Sequence, residues 1–178
     1  DCAFAASSSG YDGDGGAADA NVTYSLTGGA DQALFNIDTN SGVVTFKNAP
    51  NFEAPGDNGA NNVYDIQVTA NDTVNTTVQS IAVTVTNVNE APSVSSAATA
   101  NFAENGTGTV YTVTGSDPDA ATTFTYAVGG TDANLFNIDA NTGALTFKAA
   151  PDFEAPGDNG GNNVYDVTVT ASDGALTS

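Results

Sequence analysis

Leu34-Phe35-Asn36-Ile37-Asp38 returns 101 residues later as Leu135-Phe136-Asn137-Ile138-Asp139, and each run is closed by a glycine, Gly42 and Gly143. The segment Pro50 to Ile66 returns at the same displacement as Pro151 to Val167, differing only at Asn51/Asp152, Ala60/Gly161 and Ile66/Val167. A tandem duplication of this kind divides the 178 residues into two domains of one architecture. Each half is long enough to bury a small sandwich core.

Within each copy, short runs of Val, Ile, Thr, Phe and Tyr alternate with clusters of Gly, Asn, Asp and Pro, and no segment carries a helical period. Tyr64, Ile66, Val68 and Ala70 share one parity, as do Ile81, Val83 and Val85, while Asp65, Gln67, Thr69 and Thr84 take the other. This predicts two half-buried, paired antiparallel strands. In the second copy, Phe124, Tyr126 and Val128 predict one strand and Tyr165, Val167, Val169 and Ala171 another. Further strands are expected at 2–8, 22–26, 43–46, 109–114 and 144–147. Asp38 to Gly42 and Asp139 to Gly143 read as hairpin turns, with Asn and Gly available for positive φ.

The two ends are unequal. Residues 93–105 have no counterpart before Asp1, and most of 76–86 has none after Ser178. Two complete copies would need about 202 residues, about 24 more than are present, close to one first strand and one last strand. The expected domains are therefore repeat 1 over residues 1–91, lacking its first strand, and repeat 2 over residues 92–178, lacking its last. Such a chain is a window on a longer array, or a subunit completed by strands from its neighbours.

Composition narrows the function. Lys and Arg number 2 against 21 Asp and Glu, giving a net charge of -19. Such a surface repels phosphate, so nucleic acid is excluded as a partner, and divalent cations are the natural counter-charge. A hydrophobic fraction of 40%, falling in alternating runs, argues for packed strands over disorder. The chain has no His, Arg, Met or Trp and a single Cys2, which removes most nucleophile, general-base and transition-metal schemes. No enzyme is expected. Cys2 cannot form an internal disulfide and reads as a small apolar strand residue ahead of an intermolecular link. No apolar run is long enough to cross a bilayer as a helix, so direct membrane insertion is not expected. The sequons at Asn21, Asn71, Asn75 and Asn105 are what a Thr- and Asn-rich chain produces by chance.

Side chains separated by one residue lie on the same side of an extended segment, so Asp117 and Asp119 can grip one cation, with Pro118 restricting the segment. Asn87 and Asn89 repeat that geometry with neutral oxygens. The loop from Glu53 to Asn62, with its twin Glu154 to Asn163, is oxygen-rich and could hold an ion or a sugar, although Pro, Gly, Asp and Asn are also what a plain surface loop requires.

The motifs Phe102-Ala103-Glu104-Asn105, Asp117-Pro118-Asp119, Ile138-Asp139 through Gly143-Ala144-Leu145, Asp152-Phe153-Glu154, Tyr165 through Ser172-Asp173, and Val83 through Asn87-Val88-Asn89-Glu90-Ala91-Pro92 follow one another in order. In that order the chain resembles the cadherin-type repeats of bacterial surface proteins. The resemblance implies an all-β fold of tandem Greek-key β-sandwiches, cadherin- or Ig-like and set end to end, with Ca2+ as cofactor at the junctions. Carried over residue by residue, it implies that the junction inside the chain uses Glu53, Asn87, Asn89 and Glu90 with Asp117, Asp119 and Asp173. Asp12, Asp14 and Asp72 would face a preceding repeat, and Glu104, Asp152 and Glu154 a following one. Three departures from the animal pattern, at Asn51, at Asn87 and Glu90, and at the missing early Glu of copy 1, imply fewer or looser ions.

The function expected from all this is a non-catalytic structural or adhesive module. It would be a calcium-rigidified segment of an extracellular array or filament, secreted or on the cell surface. Its expected partners are neighbouring repeats or identical subunits joined by strand complementation, or a surface glycan or cell-surface receptor. The alternative is a calcium-dependent carbohydrate-binding module, which would use exposed aromatics such as Tyr11 or the Asp57 loop.

Overall fold

A computed structural model describes residues 3–5, as backbone only, together with 22–120 and 122–178. The expectations at Cys2, Tyr11, Asp12, Asp14 and Asn21 lie outside the described residues, as does most of the strand expected at 2–8. The chain divides into two compact units, Asp1–Val88 and Asn89–Ser178. Among the described residues, every regular element is a strand except for two single 3-10 turns, at Gln32–Leu34 and Ala133–Leu135.

In the first unit, β1 (Ala3–Ala5), β4 (Val43–Phe46) and β3 (Phe35–Ile37) form one antiparallel sheet. β2 (Thr23–Gly28), β5 (Val63–Asn71) and β6 (Thr76–Thr84) form the other. The parity read from the sequence fixes the inward face: Tyr64, Ile66 and Val68 of β5 are buried with Phe35 and Val44. Ile81, Val83 and Val85 pack against them. In the β5–β6 ladder Ile66 stands opposite Ile81 and Tyr64 opposite Val83, so both strands turn their apolar residues to one side.

The second unit repeats this plan with β8 (Thr109–Thr112), β12 (Ala144–Phe147) and β11 (Phe136–Ile138) in one sheet. β10 (Thr125–Gly129) pairs with β13 (Thr168–Ser172), and the short β7 (Ser93–Val94) with β9 (Gly115–Ser116). Its core keeps the same aromatic arrangement. Phe136 and Phe147 lie 4.3 Å apart with Tyr165 edge-on at 4.8 Å from Phe147, against 4.3 Å for Phe35–Phe46 and 5.1 Å for Phe46–Tyr64.

The turn at Asp38 is a hairpin between β3 and β4, as expected. Asp38 Oδ1 accepts the N–H of Asn40 and Ser41, and Gly42 takes φ 71°. Asp139 and Gly143 reproduce it, with φ 70° at the glycine. The strands β3 and β11 escaped the periodicity reading because three residues give too short a pattern. The strand expected from Tyr165 to Ala171 is corrected to Thr168–Ser172. Its first part has no ladder partner among the described residues.

The long loop between β4 and β5 is built around buried aspartates. Asp57 Oδ2 accepts the N–H of Gly59 and Asn61, and Oδ1 that of Asn62. Asp31, at the opening of the 3-10 turn, accepts Asn58 N–H at 2.7 Å and Asp65 N–H at 2.8 Å. The second unit repeats the arrangement through Asp158 and Asp132. Burial pushes the Asp57 carboxyl up, but the N–H groups of Asn61, Asn62 and Gly59 outweigh it and hold it below the usual carboxylate range. The only two cations, Lys47 and Lys148, donate to the backbone carbonyls of Ala33 and Asn134, both at 2.7 Å, and so finish the 3-10 turns.

Candidate metal-binding site

The acidic residues expected at the junction are held by turns and short extended segments. In the second unit, Asp117 and Asp119 lie on the segment that leaves β9. Asp117 Oδ1 accepts the N–H of Asp119 at 2.8 Å, an Asx turn across Pro118 that turns both carboxyl groups out of a regular strand. Asp117 Oδ2 is shielded from solvent and has no hydrogen-bond partner among the described residues. A desolvated carboxylate oxygen without a donor is costly, and a cation is its simplest remedy.

Two consecutive residues of the linker tie this segment to the end of β13. Glu90 N–H donates to Asp119 Oδ2 at 3.0 Å, and Asn89 Nδ2 donates to Asp173 Oδ2 at 2.7 Å. Asp173 Oδ1 closes its own turn by accepting the N–H of Ala175 and Leu176. Those N–H groups, Leu176 first, and the Asn89 amide hold its carboxyl below the usual range. Asn89 and Glu90, read from the sequence as part of the linker, lie in the compact unit Asn89–Ser178.

In the first unit, Glu53 N–H donates to Asn51 Oδ1, and Glu53 Oε1 is another shielded oxygen without a partner among the described residues. Asn51 makes the turn that Asp152 makes in the second unit, where Glu154 N–H donates to Asp152 Oδ1. The amide therefore preserves the geometry and removes only the charge. Asn87 is exposed. Asp72 closes the β5–β6 hairpin by accepting the N–H of Val74 and Asn75, the second of which is the main reason its carboxyl lies low.

Glu104, Asp152 and Glu154 place one carboxylate oxygen each within 4.8 Å of one another, all exposed. Phe153 N–H donates to Glu104 Oε2 at 3.2 Å. The charge of Glu104, above all, pushes the Glu154 carboxyl up. All these donors are carboxylate and amide oxygens with no sulfur or imidazole, a set suited to a hard cation such as Ca2+.

The loops at Glu53–Asn62 and Glu154–Asn163 behave as plain loops at their aspartates, because both oxygens of Asp57 and of Asp158 already accept backbone N–H groups. The parity reading missed one feature: Phe153 is 64% exposed and Phe52 37% exposed. Both sit in Asx-turn segments, where alternation says nothing.

No family model matches the chain. Over 46 residues, 26% of this chain, it is 46% identical to halomucin of Haloquadratum walsbyi, a stretch that rounds to 0% of that protein's length. Among solved structures it is similar to human protocadherin-24 EC1-2, with TM-score 0.58, 19% identity, and coverage of 88% of this chain and 72% of that one. It is similar to Drosophila N-cadherin EC1-4, with TM-score 0.58, 24% identity, and coverage of 90% and 40%. Mouse cadherin-23 EC22-24 gives TM-score 0.54, 21% identity, and coverage of 88% and 50%. The fold is cadherin-like. The chain spans half or less of the cadherin-23 and N-cadherin structures it matches, and each cadherin-like unit here carries a core of its own.

Proposed function

We propose that this chain is a non-catalytic structural or adhesive module of an extracellular repeat array, stiffened by Ca2+ where one repeat meets the next. The observation that carries the reading is the shielded, unpartnered Oδ2 of Asp117, in the unit where Asn89 and Glu90 bind Asp173 and Asp119. Asp117, Asp119, Asp173, Asn89 and Glu90 would hold the ion, with Glu53 and Asn87 contributing from the first repeat. Asp12, Asp14 and Asp72 would serve a preceding junction, and Glu104, Asp152 and Glu154 a following one. Bound Ca2+ supplies positive charge and a demand for six to eight oxygens, which like-charged carboxylates cannot meet among themselves. The residues of this chain position those oxygens: Pro118 limits the swing of Asp117 and Asp119, and the turn at Ala175 and Leu176 fixes Asp173.

Surface charge supports the same reading. At -19 the chain gains from any bound divalent ion, and its location outside the cell and its attachment to neighbouring repeats or a surface receptor belong to the proposal. Thermal melting with millimolar CaCl2 and with a chelator tests it. Calcium at a hundredfold excess over its Kd stabilises by about 2.7 kcal/mol, a rise of several degrees, and Asp117→Asn with Asp119→Asn removes most of it. Identical melting curves in the two buffers overturn the calcium reading.

A further inference from the structure

We infer that Asn71, at the tip of the first unit's β5–β6 hairpin, is an acceptor for an N-linked glycan. Composition accounts for the number of sequons in the chain, but not for the backbone of this one. Thr73, which completes Asn71-Asp72-Thr73, is held at φ 82°. A β-branched residue is costly in that region. At the equivalent position, 101 residues on, the second unit has Gly174 at φ 97°. The two turns are otherwise built alike: Asp72 Oδ1 accepts the N–H of Val74 and Asn75, and Asp173 Oδ1 that of Ala175 and Leu176. Ala60 also stands opposite a glycine of the other copy, Gly161, but at φ 48° and without a branched Cβ. Thr73 is exposed, so no packing offsets its strain. What the threonine adds is the third position of a sequon.

The acceptor side chain is exposed and already folded onto that third residue. Asn71 Oδ1 accepts the N–H of Thr73 at 2.6 Å, an Asx turn, and Asn71 Nδ2 makes no hydrogen bond among the described residues. The other described sequons lack this arrangement. The Asn75 side-chain amide is among the groups that hold the Asp72 carboxyl low, and Asn105, whose N–H donates to Pro151 O, makes no such turn with Thr107. In the transfer, Asn71 Nδ2 attacks the anomeric carbon of a polyprenyl-phosphate- or polyprenyl-diphosphate-linked sugar. The C–O bond to phosphate breaks, the phosphate leaves with the electron pair, and Nδ2 gives up one proton to a base of the host's transferase. A bulky polar group there would also cover Val74, which is 85% exposed. The inference rests on the extracellular part of the proposed function and not on its calcium.

Secretion of the whole chain from yeast behind the host's own signal peptide tests this, with the glycans released enzymatically in isotopically labelled water and the marked sites read by mass spectrometry. Most molecules are expected to carry the mark at Asn71, and fewer at Asn75 or Asn105. Thr73→Gly, the residue of the other copy, is expected to lose the mark at Asn71. Made in a bacterium without N-glycosylation, the same variant should melt a few degrees above the wild type, because the turn is relieved of strain. An unmarked Asn71, a mark that survives Thr73→Gly, or a variant no more stable than the wild type overturns the inference. Because the host imposes export, the mark reads the acceptor alone, whether or not calcium raises the melting temperature.

Discussion

Val63–Asn71 and Val164–Ser172 are two copies of one strand in two different neighbourhoods. In the first unit the strand is regular over nine residues and lies between β2 and β6, with Tyr64, Ile66 and Val68 at 2%, 1% and 3% exposure. In the second, only Thr168–Ser172 is regular, and Tyr165, Val167 and Val169 are half-buried. The alternation of side chains is the same, so propensity does not account for the difference. A strand's regularity and burial come from its partners on both edges, and pattern alone specifies only which face looks inward. By contrast, the Asp31–Asp65 and Asp132–Asp166 contacts are alike in the two units, because they are made within the loop and the strand and need no third strand.

That contrast separates the mutations that should act alike in the two units from those that should not. The largest effect is expected at the buried aspartates. Asp31→Ala and Asp132→Ala each leave two backbone N–H groups without an acceptor, at about 1–3 kcal/mol apiece. Both should destabilise their own unit by several kcal/mol, measured by residue-resolved hydrogen exchange in each variant. A large effect in the first unit alone would mean that the second unit's loop is not held as described. Next come the paired strand valines. Val68→Ala should cost about 2 kcal/mol, from two lost methylene equivalents and a residual cavity, and Val169→Ala about half of that. Equal costs would break the comparison.

The fold was largely legible in the sequence. A displacement of 101 residues and the parity of Tyr64, Ile66 and Val68 are enough to give two sandwiches and their inward faces. What the pattern could not give was anything decided by a second segment. Asp31 and Asp57 are buried organisers that no local pattern marks, because the N–H groups that satisfy them come from 27 and 34 residues away for Asp31 and from the bend of the Asp57 loop itself. Phe52 and Phe153, which no alternating pattern placed on either face, are exposed. Motif order offered Asp117, Asp119, Asp173 and Glu90 as candidates, yet the pairing of Asn89 with Asp173, 84 positions apart, had no local signal.

The smallest expected effect comes from the acidic cluster around Asp152, where the first copy carries Asn51. Glu154 sits with Glu104 first and Asp152 second, and its carboxyl is raised, so its contribution is fully present below its unfolded value near 4.5 and is lost as pH rises through the higher folded value. Asp38, Asp72, Asp139, Asp158 and Asp173 are lowered by backbone N–H donors, so their contribution is present above about pH 4 and is lost as pH falls through their folded values. Stability in chelator should therefore fall in acid and sag slightly as pH rises through the raised folded value of Glu154. Glu154→Gln should remove the sag, raising the melting temperature at neutral pH by about a degree, since the group is exposed and screened. If Ca2+ occupies the Glu104, Asp152 and Glu154 oxygens, the sign reverses with calcium present: the wild-type carboxylate becomes the better residue, and Glu154→Gln lowers the melting temperature. A variant that is more stable in both buffers would show that this cluster is only a patch of tolerated repulsion, and would leave the site at Asp117, Asp119 and Asp173 to carry the calcium reading alone.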